Sequence, residues 1–150
     1  KEILLALRRL IFLLPIALIA AASCNEQQSD IPEISNLTVT PLLVSEFTDS
    51  VVISFDYYDF NGDLGHQDPN VSSLSVKDSR LQNADLYHVI PLSPEGSNVP
   101  IQGRISVRLN NLFVLGNDTM EELQFEVMMQ DQKGNWSNLL ESDTISVYRP

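Results

Sequence analysis

The chain has 150 residues, of which 43% are hydrophobic and 19% are charged, with nine basic against 20 acidic residues and a net charge of −11. This apolar content is too high for a disordered chain, and the net charge is opposite in sign to the basic surface that nucleic-acid binding requires. The single Cys excludes an internal disulfide and a zinc site built from several cysteines. The length predicts one domain.

Residues 1–23 have the parts of a secretory signal peptide. Three basic residues lie within the first nine, and a run of 13 apolar residues follows from Leu10 to Ala22. A helix that spans a bilayer needs about 20 apolar residues, so this run is short for a permanent anchor. Pro15 also weakens a helix at this place. We therefore expect residues 1–23 to be a leader that is removed.

The leader ends in Ala21-Ala22-Ser23-Cys24, which resembles the lipobox of bacterial lipoproteins. The resemblance implies that the Cys24 thiol receives a diacylglycerol and becomes the first residue of the mature chain. Such an anchor carries several acyl chains, which stable membrane attachment requires. Two alternatives remain open, namely a free Cys24 thiol beyond an ordinary cleavage site and an uncleaved membrane helix. The resemblance predicts a location in the bacterial cell envelope, on the outer membrane, facing the periplasm or the cell surface.

Residues 24–33 are predicted to be the lipidated Cys and a flexible tether. The segment 25–30 has no apolar residue, which is typical of a linker. Removal of residues 1–23 leaves six basic and 19 acidic residues, so the mature chain has a net charge of −13. Its length allows a sufficient hydrophobic core without disulfides.

From residue 34 onward the apolar residues recur with a period of two, which predicts strands rather than helices. A short helix is a candidate only over Asn111–Met120. Seven short strands separated by Gly, Pro, Asn and Asp predict an all-β sandwich over residues 34–149. The predicted strands are residues 34–40, 51–58, 74–76, 86–90, 105–110, 122–129 and 145–147.

Two polar loops of this sandwich contain candidate metal ligands. Asp59, Asn61 and Asp63 have the spacing i, i+2, i+4, which in a tight loop turns three oxygens inward, and Ca²⁺ takes six to eight oxygen ligands. The run resembles the start of an EF-hand loop but lacks its glycine position and its closing Glu, so it is not an EF-hand. Asp131 begins the second loop, and in sandwiches these two loops lie at the same end. The four residues are therefore a candidate Ca²⁺ site, unless they are simply turn formers.

A family resemblance covers nearly the whole mature chain. Residues 125–137, which include Gly134-Asn135-Trp136-Ser137, resemble the penultimate strand and following loop of fibronectin type III and related immunoglobulin-like domains. The run from Phe55 to Gly65 is the other half of the resemblance. Together, residues 32–149 are similar to an immunoglobulin-like domain of the kind common in lipoproteins of Bacteroidetes-type bacteria. The resemblance implies a single immunoglobulin-like sandwich.

The sequence has no Gly-x-Ser-x-Gly, no His-Glu-x-x-His and no Gly-rich phosphate loop. We therefore expect a non-enzymatic lipoprotein whose domain serves adhesion, scaffolding or the binding of a ligand or protein. Its expected partners are the membrane, through Cys24, and an envelope protein or glycan of unknown identity, but no nucleic acid. Ca²⁺ is the only candidate cofactor.

Two other functions remain open. One is an accessory carbohydrate-binding lipoprotein, in which Trp136, Tyr57 or Tyr58 stacks on a sugar. Trp136 can instead cap the end of the sandwich. The weaker alternative is a small hydrolase that uses His66 and its Asp neighbours. His66 can instead be a solvated loop residue with no catalytic role.

Overall fold

A computed structural model describes residues 29–94 and 96–150 of the chain. The predicted signal peptide, Cys24 and the first part of the tether lie outside these residues. Within the described ranges the chain forms ten strands and no helix, and none of it could cross a membrane as a long apolar helix. The strands are β1 (Glu33–Thr40), β2 (Leu43–Ser45), β3 (Val51–Asp59), β4 (Leu74–Asp78), β5 (Asp85–Tyr87), β6 (Ile101–Leu109), β7 (Met120–Leu123), β8 (Phe125–Met129), β9 (Leu140–Glu141) and β10 (Ile145–Tyr148).

The all-β prediction is confirmed, although the structure has ten strands where seven were predicted. The very short β2 and β9 have too few residues to show an alternating pattern. The predicted sixth strand is divided at Gln124 into β7 and β8, which belong to different sheets. The candidate helix over 111–120 is instead an irregular segment that precedes β7. Its buried Leu112 and Val114 alternate with the exposed Phe113, which is the period of an extended chain.

The strands form three small sheets, in the orders β1-β3-β6, β5-β4-β8-β9 and β2-β10-β7. In the first sheet, β3 pairs along its whole length with β6, from Val51 opposite Leu109 to Asp59 opposite Ile101. Its other edge pairs with β1, whose first residue, Glu33, lies opposite Tyr58. The start of β1 and the end of β3 therefore lie at the same end of the domain.

A single cluster of buried apolar side chains receives residues from all three sheets. The inward rows of β3 and β8 lie at its centre. The members that are at most 2% exposed are Val44, Val51, Ile53, Phe55, Leu64, Leu74, Val76, Leu123, Phe125, Val127, Met129, Ile145 and Val147. Burial of one face of each sheet against a shared core is the arrangement of a β-sandwich.

Two serine hydroxyls complete the edge of β8 on either side of the two-residue β9. The backbone N–H of Phe125 donates to Ser142 Oγ (2.9 Å), and that of Met129 donates to Ser137 Oγ (3.0 Å). Both hydroxyls in turn donate to a backbone carbonyl one residue further along the chain. Buried backbone N–H groups of β8 thus remain paired where the neighbouring strand has already ended.

The segment between β6 and β7 is held in place by Glu121. Its carboxylate accepts hydrogen bonds from the backbone N–H groups of Leu115 (2.9 Å) and Gly116 (2.7 Å). Arg80 Nη1 donates to Glu121 Oε2 (2.9 Å), while Arg80 Nη2 forms an ion pair with Asp78 (2.7 Å). The two backbone donors, and then Arg80, stabilise the ionised carboxylate and lower the pKa of Glu121.

The lowered pKa of Glu121 makes its contribution to stability depend on pH. Because folding lowers this pKa, the contribution is complete above the unfolded value of about 4.3 and is lost as pH falls through the folded value. We expect Glu121→Gln to lower Tm by a few degrees at pH 7, and this difference from the wild type to shrink between pH 5 and pH 3. Thermal unfolding followed by circular dichroism measures it.

The exposed Glu122, on the opposite face of β7, provides the control. Glu122→Gln removes the same charge without removing these hydrogen bonds, so it should keep the pH dependence of the wild type. A Tm loss for Glu121→Gln that is equally large at pH 7 and pH 3 would contradict the interpretation.

Candidate functional site

The inward rows of β3 and β8 both end in a carboxylate. In β3 the row continues from Phe55 through Tyr57 to Asp59, and in β8 it continues from Met129 to Asp131, just after the strand ends. Asp59 is 0% exposed and Asp131 is 1% exposed. Since alternate residues of a strand face the same side, both carboxylates lie at the end of the apolar core.

The loop that follows β3 packs directly on the segment before β6. Gly62 and Gly65 have φ values of +70° and +83°, and a Cβ on either would collide with the carbonyl oxygen of Val99 or Ile90, respectively. Leu64, between the two glycines, is fully buried in the core and accepts a hydrogen bond at its carbonyl from the N–H of Leu92 (3.1 Å). The loop is therefore anchored at its centre and is not a free surface turn.

The loop that follows β8 covers the first loop from the other side. Leu64 and Asp131 form an isolated antiparallel bridge. The N–H of Gln132 donates to the carbonyl of Asp63 (3.1 Å), and the Gln132 side-chain amide donates to the carbonyl of Gly65 (2.8 Å). The structure thus brings both candidate metal-binding loops together at one end of the domain.

Three of the four candidate ligands leave one buried oxygen without a hydrogen-bond partner. Asp59 Oδ2 accepts from the N–H of Asp63 (2.8 Å), and Asn61 Nδ2 donates to Asp63 Oδ2 (3.1 Å). The second oxygen of each carboxylate and the amide oxygen of Asn61 are buried and unpaired. In Asp131, by contrast, both oxygens are occupied, since they accept from the N–H (2.7 Å) and the side-chain amide (2.8 Å) of Asn135.

The electrostatic environment of these carboxylates disfavours their negative charge. Burial raises the pKa of Asp59, and the charges of Asp63 and Asp131 raise it further, while hydrogen bonds from the backbone of Asp63 and Asn61 act against the rise. Burial and the charge of Asp131 likewise raise the pKa of Asp63, which Lys133 partly opposes. Lys133 Nζ lies 3.7 Å from Asp63 Oδ2 and is half-exposed. One half-exposed cation is therefore set against three neighbouring carboxylates.

The side chains that could hold a metal ion between the two loops are not all carboxylates. Within residues 29–94 and 96–150, no group of three or more His, Cys, Asp or Glu side chains is arranged to hold a metal ion. The unpaired oxygens belong to two carboxylates, Asp59 and Asp63, and to one amide, Asn61. A metal ion here would therefore need the Asn61 amide as a ligand, and Asp131 would contribute its charge rather than an open oxygen.

The three aromatic candidates do not form one surface. Trp136 lies in the loop after β8 and is 40% exposed. Tyr57 packs against the core, whereas Tyr58 is exposed on the other side of β3. Adjacent residues of a strand point to opposite faces, so Tyr57 and Tyr58 cannot stack on the same sugar. Trp136 is the most accessible of the three.

His66 lines a cleft of about 390 Å³ beside the first loop, together with Asp68 and Ser93. The Ser93 hydroxyl donates to the carbonyl of Gly62 (2.5 Å), so it is engaged with the loop backbone. A nucleophilic serine needs a hydrogen-bonded base, and the contact of Ser93 is of a different kind. His88, which lies after β5, hydrogen-bonds through Nδ1 to the carbonyl of Val71 (2.9 Å).

Asn138 is a residue of this end that the sequence analysis missed. Its side-chain oxygen accepts from the N–H of Ile34 (2.9 Å), and its Nδ2 donates to the carbonyl of Ile34 (2.9 Å). The amide thus imitates the pairing of a neighbouring strand and joins the second loop to β1. An isolated Asn in a polar loop carries no sequence signal for such a contact.

Comparisons of the chain with protein-family models, with curated proteins and with solved structures gave no match. The most distinctive feature of the chain is the end of the domain at which two loops close over buried carboxylates and three unpaired buried oxygens.

The close approach of Gly62 to its neighbours generates a prediction with a matched control. Gly62 and Gly96 have similar φ values, +70° and +73°, but a Cβ on Gly96 would meet nothing within 4 Å. We expect Gly96→Ala to cost about 1 kcal/mol, from the left-handed backbone alone. Gly62→Ala should cost about 2–4 kcal/mol because the collision with Val99 adds to that strain. Urea unfolding measures both, and equal losses would show that the loop is not packed as described.

Proposed function

We propose that this protein is a bacterial lipoprotein, held in the membrane by a lipid on Cys24, whose single immunoglobulin-like domain binds a protein or glycan of the cell envelope without catalysing a reaction. One observation carries the proposal. A leader that ends in Ala21-Ala22-Ser23-Cys24 stands directly before a folded all-β domain, whose first strand begins at Glu33. A lipobox and a short polar tether in front of a domain are the layout of a tethered envelope module.

The order of the strands supports the immunoglobulin-like type. Immunoglobulin domains place strands A, B and E in one sheet and C, F and G in the other. With β1, β3 and β6 as A, B and E, the first sheet has this composition, and β4, β8 and β9 then take the positions of C, F and G. The edge strand β5 corresponds to the additional strand beside C in variable-type domains.

The loop end supports a role in binding. Binding residues are often found on loops that a rigid scaffold holds in place. Here Leu64 fixes the first loop in the core, and Gln132 and Asn138 join the second loop to the first loop and to β1. Such a fixed loop pair presents the same surface to every partner, which lowers the entropy cost of binding.

The lipid anchor is tested by mass spectrometry of the membrane fraction, after expression of the full chain in a bacterium that processes lipoproteins. We expect the N-terminal peptide of the mature protein to begin at an acylated Cys24. Cys24→Ser should leave an unprocessed precursor, since the acyl acceptor is missing. Ser23→Ala, which keeps a small residue next to the Cys, is the control and should be processed normally. An unmodified Cys24, or a mature chain that retains Lys1, would overturn the proposal.

The exposure of Trp136 favours carbohydrate binding as a second candidate function. If its indole stacks on a sugar, Trp136→Ala should abolish binding on a glycan array. Phe47→Ala is the control, because Phe47 is an exposed aromatic residue that follows β2, at the opposite end from the two loops. Absence of binding by the unchanged protein, or equal loss in both variants, would count against this function.

A further inference from the structure

We propose that Asp59, Asn61 and Asp63 bind a Ca²⁺ ion at the end of the core, between the loop after β3 and the loop after β8. The proposal goes beyond the binding role described above and does not depend on the lipid anchor. It starts from the three side-chain oxygens that are buried without a partner, one on each of these residues. Asp59 is fully buried and Asn61 is 6% exposed, so bulk water cannot replace the missing contacts.

An unpaired buried acceptor has to be explained, because it costs the free energy of removing that oxygen from water. Three such oxygens lie within one five-residue stretch, so three of these free-energy costs fall at the same place in the fold. They belong to residues that hydrogen-bond to one another, since the Asn61 side-chain amide donates to the Asp63 carboxylate and the backbone N–H of Asp63 donates to the Asp59 carboxylate. Each residue uses its other polar atom for these internal contacts. The three remaining oxygens are all acceptors, as the ligands of a cation must be.

Turn formation alone does not leave such oxygens behind, as two other turns of the same molecule demonstrate. Both oxygens of Asp131 accept hydrogen bonds from Asn135. In the outer part of the first loop, Asp68 Oδ1 accepts from both the N–H and the side-chain amide of Asn70. The stretch from Asp59 to Asp63 differs from these two turns in the buried oxygens that it leaves open.

Charge favours a cation over a water molecule at this place. A water could hydrogen-bond to the open oxygens, but it would leave the mutual repulsion of Asp59, Asp63 and Asp131 unchanged. Burial and these like charges already raise the pKa of Asp59 and Asp63. A divalent cation would satisfy the oxygens and cancel the excess negative charge together. Lys133 cannot do both, because it is half-exposed and divides its charge between Asp63 and Asp30.

The donor set is that of Ca²⁺ rather than of a transition metal. All three open donors are oxygens, two from carboxylates and one from an amide, whereas zinc and copper sites favour nitrogen and sulfur ligands. Ca²⁺ accepts six to eight oxygens in a flexible geometry, with backbone carbonyls and waters beside the carboxylates. Mg²⁺ demands a stricter octahedron and gives up its waters reluctantly. With two charged ligands, we expect a Kd of about 0.1–1 mM, in the range of extracellular calcium modules.

Thermal unfolding of the full-length protein in detergent tests the site. We compare samples in a chelator, in 10 mM CaCl₂ and in 10 mM MgCl₂. For a Kd of about 0.1–1 mM, Ca²⁺ should raise Tm by about 5–10 °C, since an ion that binds only the folded state stabilises it. Mg²⁺ should have a much smaller effect. Isothermal titration with CaCl₂ should show one site per chain.

Charge-removing variants locate the effect. Asp63→Asn should lose the Ca²⁺-dependent rise in Tm. In the chelator, it should be at least as stable as the wild type, because a repulsive charge has been removed. Asp59→Asn should give the same result. If this change at a fully buried side chain prevents folding, Asp63→Asn alone tests the site. Asp68→Asn, which removes the same charge from the outer part of the first loop, should keep the full rise.

Three outcomes would overturn the proposal. One is the absence of any Tm change or titration heat with Ca²⁺. A second is an equal response to Mg²⁺, which would indicate a general effect of ionic strength. The third is a Ca²⁺ response that Asp63→Asn retains, which would place the ion elsewhere on the protein.

Discussion

The inward faces of β3 and β8 continue beyond the apolar core and end in Asp59 and Asp131, and this burial of two carboxylates constrains the whole end of the domain. A carboxylate at the end of a hydrophobic row can neither turn to solvent nor remain unpaired without cost. The two loops that follow these strands therefore have to fold back over the carboxylates and supply donors. The N–H of Asp63 and the amide of Asn135 do so, one from each loop.

The loops can fold back because Leu64 and two glycines fix their path. Leu64 places an apolar side chain in the core, so the first loop gains burial energy at its centre. Gly62 and Gly65 allow the backbone on either side of it to approach Val99 and Ile90 more closely than any side chain would permit. Polar residues of the same loop are then held in a partly dry environment. The fixed path of the loop and the burial of its charged side chains thus have one common cause.

Much of the fold could be predicted because the long strands bury one face. β3, β6 and β8 alternate clearly, and they belong to the two sheets that lead to the candidate site. β2 and β9 could not be predicted, because two or three residues do not define a period. The segment before β7 was uncertain for another reason. Its extended path depends on Glu121 and on Arg80, which is 41 residues away in the chain.

The candidate site could be predicted only in part. The spacing of Asp59, Asn61 and Asp63 is visible in the sequence, and the ends of a sandwich place Asp131 near them. Which oxygens remain unpaired depends on tertiary burial and on Asn135, and no local pattern reveals that. The separation of Tyr57 from Tyr58 follows from strand geometry alone and could have been predicted. The two hydrogen bonds between Asn138 and Ile34 could not have been predicted, because they join segments that are 104 residues apart in the chain.

The ion pairs of Lys133 have a consequence for the orientation of the domain. Lys133 Nζ lies 3.6 Å from Asp30 and 3.7 Å from Asp63, so the chain enters the domain beside the two loops. With a lipid on Cys24, only residues 24–30 separate this entry point from the bilayer, and seven extended residues reach at most about 25 Å. The acidic end would then face the lipid headgroups, and the opposite end of the sandwich would point away from the membrane. A partner of the two loops would then have to lie close to the membrane surface, as a component of the same membrane does.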